Sequence, residues 1–206
     1  MKLWEYRDVG GNLLDDSNCC SVGAINNAKL VCDRLNVPHY TLDFTHVFQK
    51  AVVDNFADEY LAGRTPNPCV RCNSLVKWDA FVQQADKLGA AYIATGHYAK
   101  VHHVNGSAFL KKGRDPLKDQ AYVLWGIPAH TLLRTLFPLG DLTKEEVRDI
   151  ARQNKFETAE IPESMEICFV ADNNYKRFLK DYVPEKMSKI SAGDIVNESG
   201  EVVGEH

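Results

Sequence analysis

The residues best suited to chemistry lie in one short stretch, residues 63–73, with the sequence GRTPNPCVRCN. Cys69 and Cys72 form a Cys-x-x-Cys pair, a spacing that brings two sulfur atoms to one place. The prolines and the glycine of this stretch disfavour a regular helix or strand, so we expect an ordered loop. By itself the pair is compatible with a redox couple, with half of a metal site and with two buried thiols that do not react.

The chain has six cysteines, and the other four lie in sequence surroundings that differ from those of Cys69 and Cys72. Cys168 comes after Pro162, and we expect a loop or the edge of a strand there. Cys32 lies on an apolar helical stripe, which favours a core position. Cys19 and Cys20 are adjacent, so their side chains diverge and a structural role is favoured for both.

A second candidate site follows the apolar run at residues 90–95, which has the length of a buried parallel strand. Gly96 and His97 come directly after this run. In open α/β sheets, ligands bind beyond the carboxyl ends of the strands. A single histidine is more often a structural group than a catalyst, but this position favours a site.

The elements that must position these residues alternate between helices and strands. Apolar residues at helical spacing and short apolar runs predict helices over residues 24–35, 44–60 and 75–88, and strands over residues 39–44 and 90–95. Gly63 and Gly89 stand where a glycine can end the second and third helices. The alternation favours an α/β fold with a doubly wound, mostly parallel sheet.

The second half of the chain carries more local signals. Asn105-Gly106 predicts a β-hairpin, and Thr143 with Glu146 forms a capping box that predicts the start of a helix. A short helix is expected at 175–182 and a second hairpin at 194–203.

The composition is that of an ordinary globular protein, with 45% hydrophobic and 25% charged residues in 206. No apolar run approaches the ~20 residues of a membrane span. The cysteines come without a signal peptide, so we expect a reducing cytoplasm and no membrane. The net charge of −4 leaves contact with a nucleic acid to a local patch. One local basic cluster is present, made of Lys111, Lys112, Arg114 and Lys118. It is compatible with a solvated loop and with a contact to nucleic-acid phosphates.

Five motifs in order resemble those of the tRNA-specific 2-thiouridylases, which place sulfur at C2 of the wobble uridine. The motifs are GRTPNPCVRCN at 63–73, ATGHYAK at 94–100, KDQAYVL at 118–124, FPLGDLTKEEVR at 137–148 and ESMEICFV at 163–170. Together they make a specific match, and the resemblance covers essentially the whole chain.

The resemblance implies a PP-loop ATP pyrophosphatase fold, similar to the adenine nucleotide alpha-hydrolases. The family has this domain at its N-terminus, then a small central domain and a C-terminal β-barrel. We expect residues 1–170 to be the catalytic domain without its first strand, phosphate loop and first helix, and 171–206 to begin the central domain. The 206 residues contain no Ser-Gly-Gly-x-Asp-Ser phosphate loop, so we expect a fragment that does not activate uridine alone.

The resemblance also implies a reaction. ATP, with Mg²⁺, adenylates the C2 oxygen of the uridine, a persulfide on Cys168 supplies sulfur, and Cys72 is the partner thiol that closes a disulfide with Cys168. Two thiols are needed because sulfane sulfur must be carried and then cleaved from its carrier. The implied partners are the tRNAs for lysine, glutamate and glutamine, and a sulfur donor such as a cysteine desulfurase or a sulfur-relay protein.

Carried over by position, the family match gives further site residues. Gly96 and Met1 are implied as ATP contacts. Contacts to tRNA are implied for Asn67, Pro68 and Cys69, which face the target base, and for His97, Lys118, Asp119 and Gln120.

Three alternatives remain open. Many relatives have aspartate at the position of Cys69, so Cys69, Cys72 and Cys168 are an alternative ligand set for a [4Fe-4S] cluster or for zinc. A second alternative is a non-catalytic remnant that binds tRNA or a partner chain. A thiol-disulfide oxidoreductase is disfavoured, because its Cys-x-x-Cys pair normally opens a helix in a thioredoxin-like fold, whereas we expect the pair here in a proline-rich loop between helices.

Overall fold

The computed structural model of the protein describes residues 1–4, 22–161, 167–170 and 172–205. The α-helices of this part are α1 (Val22–Arg34), α2 (45–61), α3 (68–87), α4 (Ala129–Leu132), α5 (Lys144–Gln153), α6 (Tyr175–Tyr182) and α7 (Pro184–Met187). Short 3₁₀ helices cover Ala121–Leu124 and Glu157–Glu160. The strands are β1 (Ile93–Ala94), β2 (Ala99–Val104), β3 (Ser107–Lys112), β4 (Thr135–Leu136), β5 (Asp194–Val196) and β6 (Val202–Glu205).

The two long helices each widen in the middle to π-helical geometry. In α2 the π segment is Gln49–Val53, and in α3 it is Cys72–Ala80. The residues at the junctions keep right-handed helical dihedral angles, so each helix continues through its π segment. Such segments are rare and are frequent at functional sites. Cys72 is the first residue of the π segment of α3.

Helix α3 begins inside the stretch that we predicted to be a loop. Asn67 is the N-cap, and its Oδ1 accepts a hydrogen bond from the backbone N–H of Val70 at 3.2 Å. Pro68 takes the first helical position, where its missing N–H is no loss and its fixed φ suits a helix. The loop prediction is therefore wrong from Pro68 onward, and the cysteine pair does open a helix.

The parallel pairing expected of an α/β fold is confirmed. Strand β1 pairs in parallel with β4, with Ile93 opposite Thr135. The strand predicted over 39–44 is reduced to a single parallel bridge between Lys2 and Asp43. Ile93 is buried but Ala94 is exposed, so the prediction of a fully buried strand holds for one face of β1. Burial of the second face needs packing that a local apolar run cannot specify.

Both predicted hairpins form as antiparallel pairs, β2 with β3 and β5 with β6. Asn105 and Gly106 have φ of 49° and 78°, the left-handed values that this type of hairpin turn requires. The predicted capping box is also present, because Thr143 and Glu146 exchange side-chain to backbone hydrogen bonds at the start of α5.

Two hydrophobic clusters share helix α3. The first, which we call the aromatic core, is built around Trp4, Phe48, Phe56, Phe169 and Phe178. The second, which we call the hairpin core, is built around Trp78, Ile93, Ala99, Ala108 and Leu124. Phe81 of α3 packs against both cores, so this helix carries Cys72 on one side and Trp78 on the other.

Helix α1 is confirmed, but its apolar stripe is less buried than expected. Leu30 and Leu35 are exposed, and Cys32 is half-buried, so the core position predicted for Cys32 is reached in part. The C-terminal end of the helix contacts the segment after α5, where Arg34 donates a hydrogen bond to the carbonyl of Lys155. Cys19 and Cys20 lie outside the described residues. In the described part of the chain, no helix has both the length and the apolar character that crossing a membrane requires.

Candidate functional site

Cys72 lies in the aromatic core. It sits in the second turn of α3, is 9% exposed and packs in the same cluster as Val76 and Phe48. It is present as a thiol. The burial follows from the register of α3, in which Cys72 and Val76 are four residues apart and therefore face the same way.

Cys168 is held in a tight turn against the same aromatic core. The backbone N–H of Val170 donates to the carbonyl of Ile167 at 2.9 Å, which closes the turn over residues 167–170. Phe169 is buried beside it, with its ring centroid 5.1 Å from that of Phe56. Cys168 is half-buried and packs against this core as a thiol. Two cysteines that are far apart in sequence are thus brought to one water-poor region, with Cys168 the more accessible.

Cys69 has a different environment, because its side chain is exposed one turn before Cys72. Among the described residues, no three side chains of histidine, cysteine, aspartate or glutamate come together in a way that could hold a metal ion. Cys69, Cys72 and Cys168 are all described, so the three-thiolate ligand set for an iron-sulfur cluster or zinc is not formed in this structure. We derive no chemistry from such a centre.

His97 is the second chemical group of the site, and it is 8% exposed. Burial, and then the nearby positive charge of Lys77, lowers the pKa of His97 to about 3. The ring is therefore neutral. Its Nε2 lies 3.4 Å from Nζ of Lys77, which can only donate, so Nε2 accepts. The proton is then on Nδ1, which lies 2.8 Å from Oγ1 of Thr95 and donates to it.

Aromatic rings and buried hydroxyls fix the surroundings of this imidazole. The ring centroid of His97 is 5.5 Å from that of Trp78 and 6.2 Å from that of Phe137. Nε1 of Trp78 donates to Oγ1 of Thr135 at 3.0 Å, and Thr135 in turn donates to the carbonyl of Thr131 at 2.8 Å. Lys77 and Trp78 belong to the helix that carries Cys72, so α3 connects the thiol and the imidazole.

The two predicted ATP contacts have room for a ligand. Gly96 follows β1 and is exposed, and a Cβ there would touch just Leu139 Cδ1 at 3.7 Å. Met1 is 38% exposed, next to the bridge from Lys2 to Asp43. Both positions therefore suit contact with the edge of a nucleotide, but neither supplies the several backbone donors that a triphosphate needs.

The predicted tRNA segment at residues 118–120 is hydrogen-bonded to Tyr98, the residue that follows His97. The backbone N–H of Tyr98 donates to Oε1 of Gln120 at 3.0 Å, and that of Gln120 donates to the carbonyl of Tyr98 at 2.9 Å. Oδ1 of Asp119 accepts from the backbone N–H of Gly113 at 2.8 Å. Gln120 and Asp119 thus hold the segment in place, and the half-buried Lys118 is its cationic side chain.

Within the rest of the basic cluster, Arg114 is held by other groups of the protein. The guanidinium of Arg114 donates to Oε1 of Glu146 at 2.7 Å and to the carbonyl of Asp141 at 3.0 Å. Arg114 therefore ties the end of the hairpin to α5. Lys111 and Lys112 are exposed at the end of β3. For Arg114 the structural role explains its position.

Several residues of the site gave no sequence signal. Lys77 has the spacing of an ordinary surface lysine, and Thr95 was part of the apolar run. Asn73 was inside the cysteine motif without a role, yet its Oδ1 is buried and has no hydrogen-bond partner in the part of the chain that is described. Arg71 and Trp125 line an open cleft beside Asn67. Periodicity reveals buried faces, but it does not reveal which polar side chains meet across them.

Comparisons with known proteins agree with the motif resemblance. The family model described as "tRNA methyl transferase HUP domain" matches residues 1–172. The chain is 49% identical over 207 residues to the tRNA-specific 2-thiouridylase MnmA of Amoebophilus asiaticus (strain 5a2), covering 100% of this chain and 55% of the relative. It is 46% identical over 209 residues to the protein of the same name from Salinibacter ruber, again covering 100% of this chain and 55% of the relative. The chain thus spans about half the length of these relatives. On this evidence the chain belongs to the tRNA methyl transferase HUP domain family, and its similarity to the 2-thiouridylases is confirmed.

Proposed function

We propose that this chain forms part of a tRNA-uridine 2-sulfurtransferase, which converts the wobble uridine of tRNA to 2-thiouridine. The observation that carries the proposal is that Cys72 lies in the aromatic core and Cys168 packs against the same core. The names of the relatives give the reaction, and the paired thiols supply the chemistry that this reaction needs. The family description mentions methyl transfer, but a carrier thiol and a cleaving thiol suit sulfur transfer better.

The roles of the two thiols follow from their exposure. Cys168 is half-buried at the turn, so it can receive sulfane sulfur from a donor protein, and Cys72 waits in the core. The terminal sulfur of a Cys168 persulfide forms a bond to C2 of the adenylated uridine, while the bond from C2 to its oxygen breaks and that oxygen leaves with AMP. The thiolate of Cys72 then attacks Sγ of Cys168, the bond between Sγ and the sulfane sulfur breaks, and 2-thiouridine leaves. The sulfane sulfur is reduced while Cys72 and Cys168 are oxidised to a disulfide, which an external thiol reductant must reopen.

The implied nucleotide is ATP with Mg²⁺, which supplies AMP as the leaving group at C2. Within this chain we assign Gly96 and Met1 to contacts with the nucleotide. We assign Asn67, Pro68, Cys69, His97 and the segment 118–120 to tRNA, with Lys118 as the cation. The proposed tRNAs are those for lysine, glutamate and glutamine, and the sulfur donor is a cysteine desulfurase or a relay protein. A reducing compartment such as the cytoplasm suits this thiol cycle.

Substitution of the two thiols tests the proposal in the complete protein that carries this sequence. We expect Cys72→Ser and Cys168→Ser each to lower the rate of sulfur transfer to tRNA about 10³-fold or more, because each thiol is covalently required. Transfer is measured as incorporation of radioactive sulfur. Cys32→Ser is the matched control, since Cys32 is also half-buried but lies on α1 outside the aromatic core.

The two variants should also differ in what accumulates. With Cys168→Ser, no persulfide should form on the protein, whereas Cys72→Ser should retain one and stop before release of the product. Mass spectrometry of the protein after incubation with a sulfur donor separates these states. Sulfur transfer at the unsubstituted rate in both variants would contradict the proposal, and RNA binding without any sulfur transfer would favour a non-catalytic binding protein.

A further inference from the structure

An open cleft of about 390 Å³ lies beside the N-terminus of α3. Its volume is within the range of sites that bind small molecules. The residues that line it include Asn55, Glu59, Thr65, Asn67, Arg71 and Trp125. Neither Cys69 nor Cys72 lines it, although their neighbours Val70 and Arg71 do. The cleft is therefore next to the thiol site but separate from it.

Trp125 presents an aromatic surface at this cleft. Its side chain is 74% exposed, which is unusual for so large an apolar group. The preceding residues Val123 and Leu124 are buried in the hairpin core, so the backbone that carries the indole is anchored. Tyr122, three residues earlier and also exposed, lies on the same side because side chains three apart eclipse in a 3₁₀ helix.

Arg71 gives the cleft a positive group whose direction is fixed. Its Nε donates to the carbonyl of Ala51 on α2 at 2.7 Å. In the described part of the chain, its two terminal nitrogens have no hydrogen-bond partner. The one acidic neighbour in the cleft, among the described residues, is Glu59, and its carboxylate is paired with Arg64, which lowers the pKa of Glu59. The positive charges of Arg64 and Arg71 both lower the pKa of Glu59, so two guanidinium groups act on one carboxylate at this cleft and a net positive charge remains.

We propose that this cleft binds an unpaired nucleotide of the tRNA that flanks the reacting uridine. The base stacks on the indole of Trp125, and the terminal nitrogens of Arg71 bind its phosphate or a base oxygen. An exposed aromatic side chain next to a cation is the arrangement with which proteins hold single-stranded nucleic acid. The occupant is a flanking nucleotide because no sulfur lines the cleft. The inference rests on the proposed function for the identity of the RNA.

The test uses the complete protein that carries this sequence and an RNA hairpin with the unpaired anticodon loop of a substrate tRNA. We expect Trp125→Ala to weaken binding of this hairpin about tenfold, and Trp125→Phe to recover most of the loss because it restores an aromatic face. Arg71→Gln should weaken binding by a similar factor and should reduce the dependence on salt by about one phosphate contact. Tyr40→Ala is the matched control, because Tyr40 is also 74% exposed and lies outside the cleft.

A fluorescence measurement checks the stacking directly. Trp4 and Trp78 are buried, so among the tryptophans of this chain Trp125 is the one whose emission a stacked base can quench. Quenching by the hairpin that disappears in Trp125→Phe supports the inference. Binding and quenching that are unchanged in Trp125→Ala would overturn it, as would failure of the unsubstituted protein to bind the hairpin.

The same variants separate this inference from the proposed function. If the unsubstituted protein binds the hairpin through Trp125 but transfers no sulfur, the cleft is supported and the proposed reaction fails. If sulfur transfer proceeds and Trp125→Ala has the same KM for tRNA, the reaction stands and the cleft assignment is wrong. In the supporting case, Trp125→Ala raises the KM for tRNA much more than it lowers kcat.

Discussion

The two cores that share helix α3 differ in what they do to the reactive groups beside them. The aromatic core buries Cys72 and has the half-buried Cys168 packed against it, and its stability comes from packing of apolar groups. On the side of the hairpin core, His97 is held by hydrogen bonds to Thr95 and Lys77. A second, buried hydrogen bond joins Trp78 to Thr135 next to it. One side of the helix packs the thiol of Cys72 among apolar groups, and the other fixes a proton on a ring nitrogen of His97.

This difference suits the two kinds of group. Sulfane sulfur is lost to competing thiols and water, so a carrier benefits from a dry and well-packed turn. An imidazole that contacts a ligand has to present a defined donor or acceptor, and hydrogen bonds define it. Because α3 connects both cores, substitutions on its two sides can be compared. Substitutions in the aromatic core test whether the thiol region depends on packing, and substitutions in the hairpin core test whether the imidazole region depends on polar contacts.

The largest effect is expected from Phe169→Ala in the aromatic core. The ring of Phe169 lies 5.1 Å from that of Phe56 and 5.3 Å from that of Phe178, between centroids. Removal of this buried ring should lower the free energy of unfolding by about 3–5 kcal/mol, through lost burial and a cavity. It should also loosen the turn that holds Cys168 and thereby slow sulfur transfer.

Denaturant unfolding measures the first effect, and formation of a persulfide measures the second. Phe109→Ala is the control, because Phe109 is an exposed phenylalanine of β3. A loss of stability below about 1 kcal/mol for Phe169→Ala would mean that the aromatic core does not depend on this ring.

A smaller loss is expected from Thr135→Val in the hairpin core. Oγ1 of Thr135 accepts from Nε1 of Trp78, and valine cannot replace that oxygen. The change leaves a buried indole N–H without a partner, which should cost about 1–3 kcal/mol of unfolding free energy. Thr41→Val, at an exposed position, should change it by less than about 0.5 kcal/mol. Equal effects of both variants would show that the polar pair does not stabilise this core.

Much of this arrangement could be predicted from the sequence, for reasons that differ between elements. Helix α2 follows from apolar residues spaced three and four apart, and the hairpin follows from the turn preference of Asn105-Gly106. Both predictions are confirmed. The start of α3 was missed because a proline was interpreted as a breaker, whereas Pro68 at the first helical position favours a helix.

The parts of the site that could not be predicted depend on contacts between distant segments. Nothing local tells that Lys77 meets His97 or that Trp78 meets Thr135, because each pair joins α3 to a strand or its loop. The exposure of Trp125 likewise depends on how the rest of the fold packs around it, which the local sequence does not show. That Cys72 and Cys168 border the same core has no local signal in the sequence, and the expectation that they act together came from the family resemblance.

The third prediction concerns pH and the histidine side of the comparison. The pKa of His97 is about 3 in the folded protein, against an ordinary value of 6.5. Between these values the unfolded chain binds a proton that the folded protein does not. The contribution of His97 to stability is therefore complete above pH 6.5, and it is lost by about 1.4 kcal/mol per unit as pH falls below that value.

His97→Gln should remove this part of the pH dependence, because glutamine does not titrate. Lys77→Met should reduce it partly, since burial is the larger cause and the charge of Lys77 the smaller one. Unfolding by denaturant at several pH values between about 6.5 and 4.5 measures the slopes. If His97→Gln and the unsubstituted protein have the same slope, His97 is not held neutral by the hairpin core.

The smallest effect is expected at Asn67, the N-cap of the helix that both cores share. Its Oδ1 satisfies the backbone N–H of Val70, and the same residue lines the cleft with Arg71 and Trp125. Asn67→Ala removes the cap and should lower the free energy of unfolding by about 1 kcal/mol. Asn67→Ser keeps an oxygen that can cap the helix, so its stability should remain close to that of the unsubstituted protein.

Serine lacks the amide N–H₂, however, so a contact of that group with RNA would be lost in both variants. If the KM for tRNA rises equally in Asn67→Ala and Asn67→Ser while stability falls in the first alone, Asn67 binds RNA in addition to capping α3. A KM that follows stability instead would mean that Asn67 acts on the site just by holding the start of the helix in place.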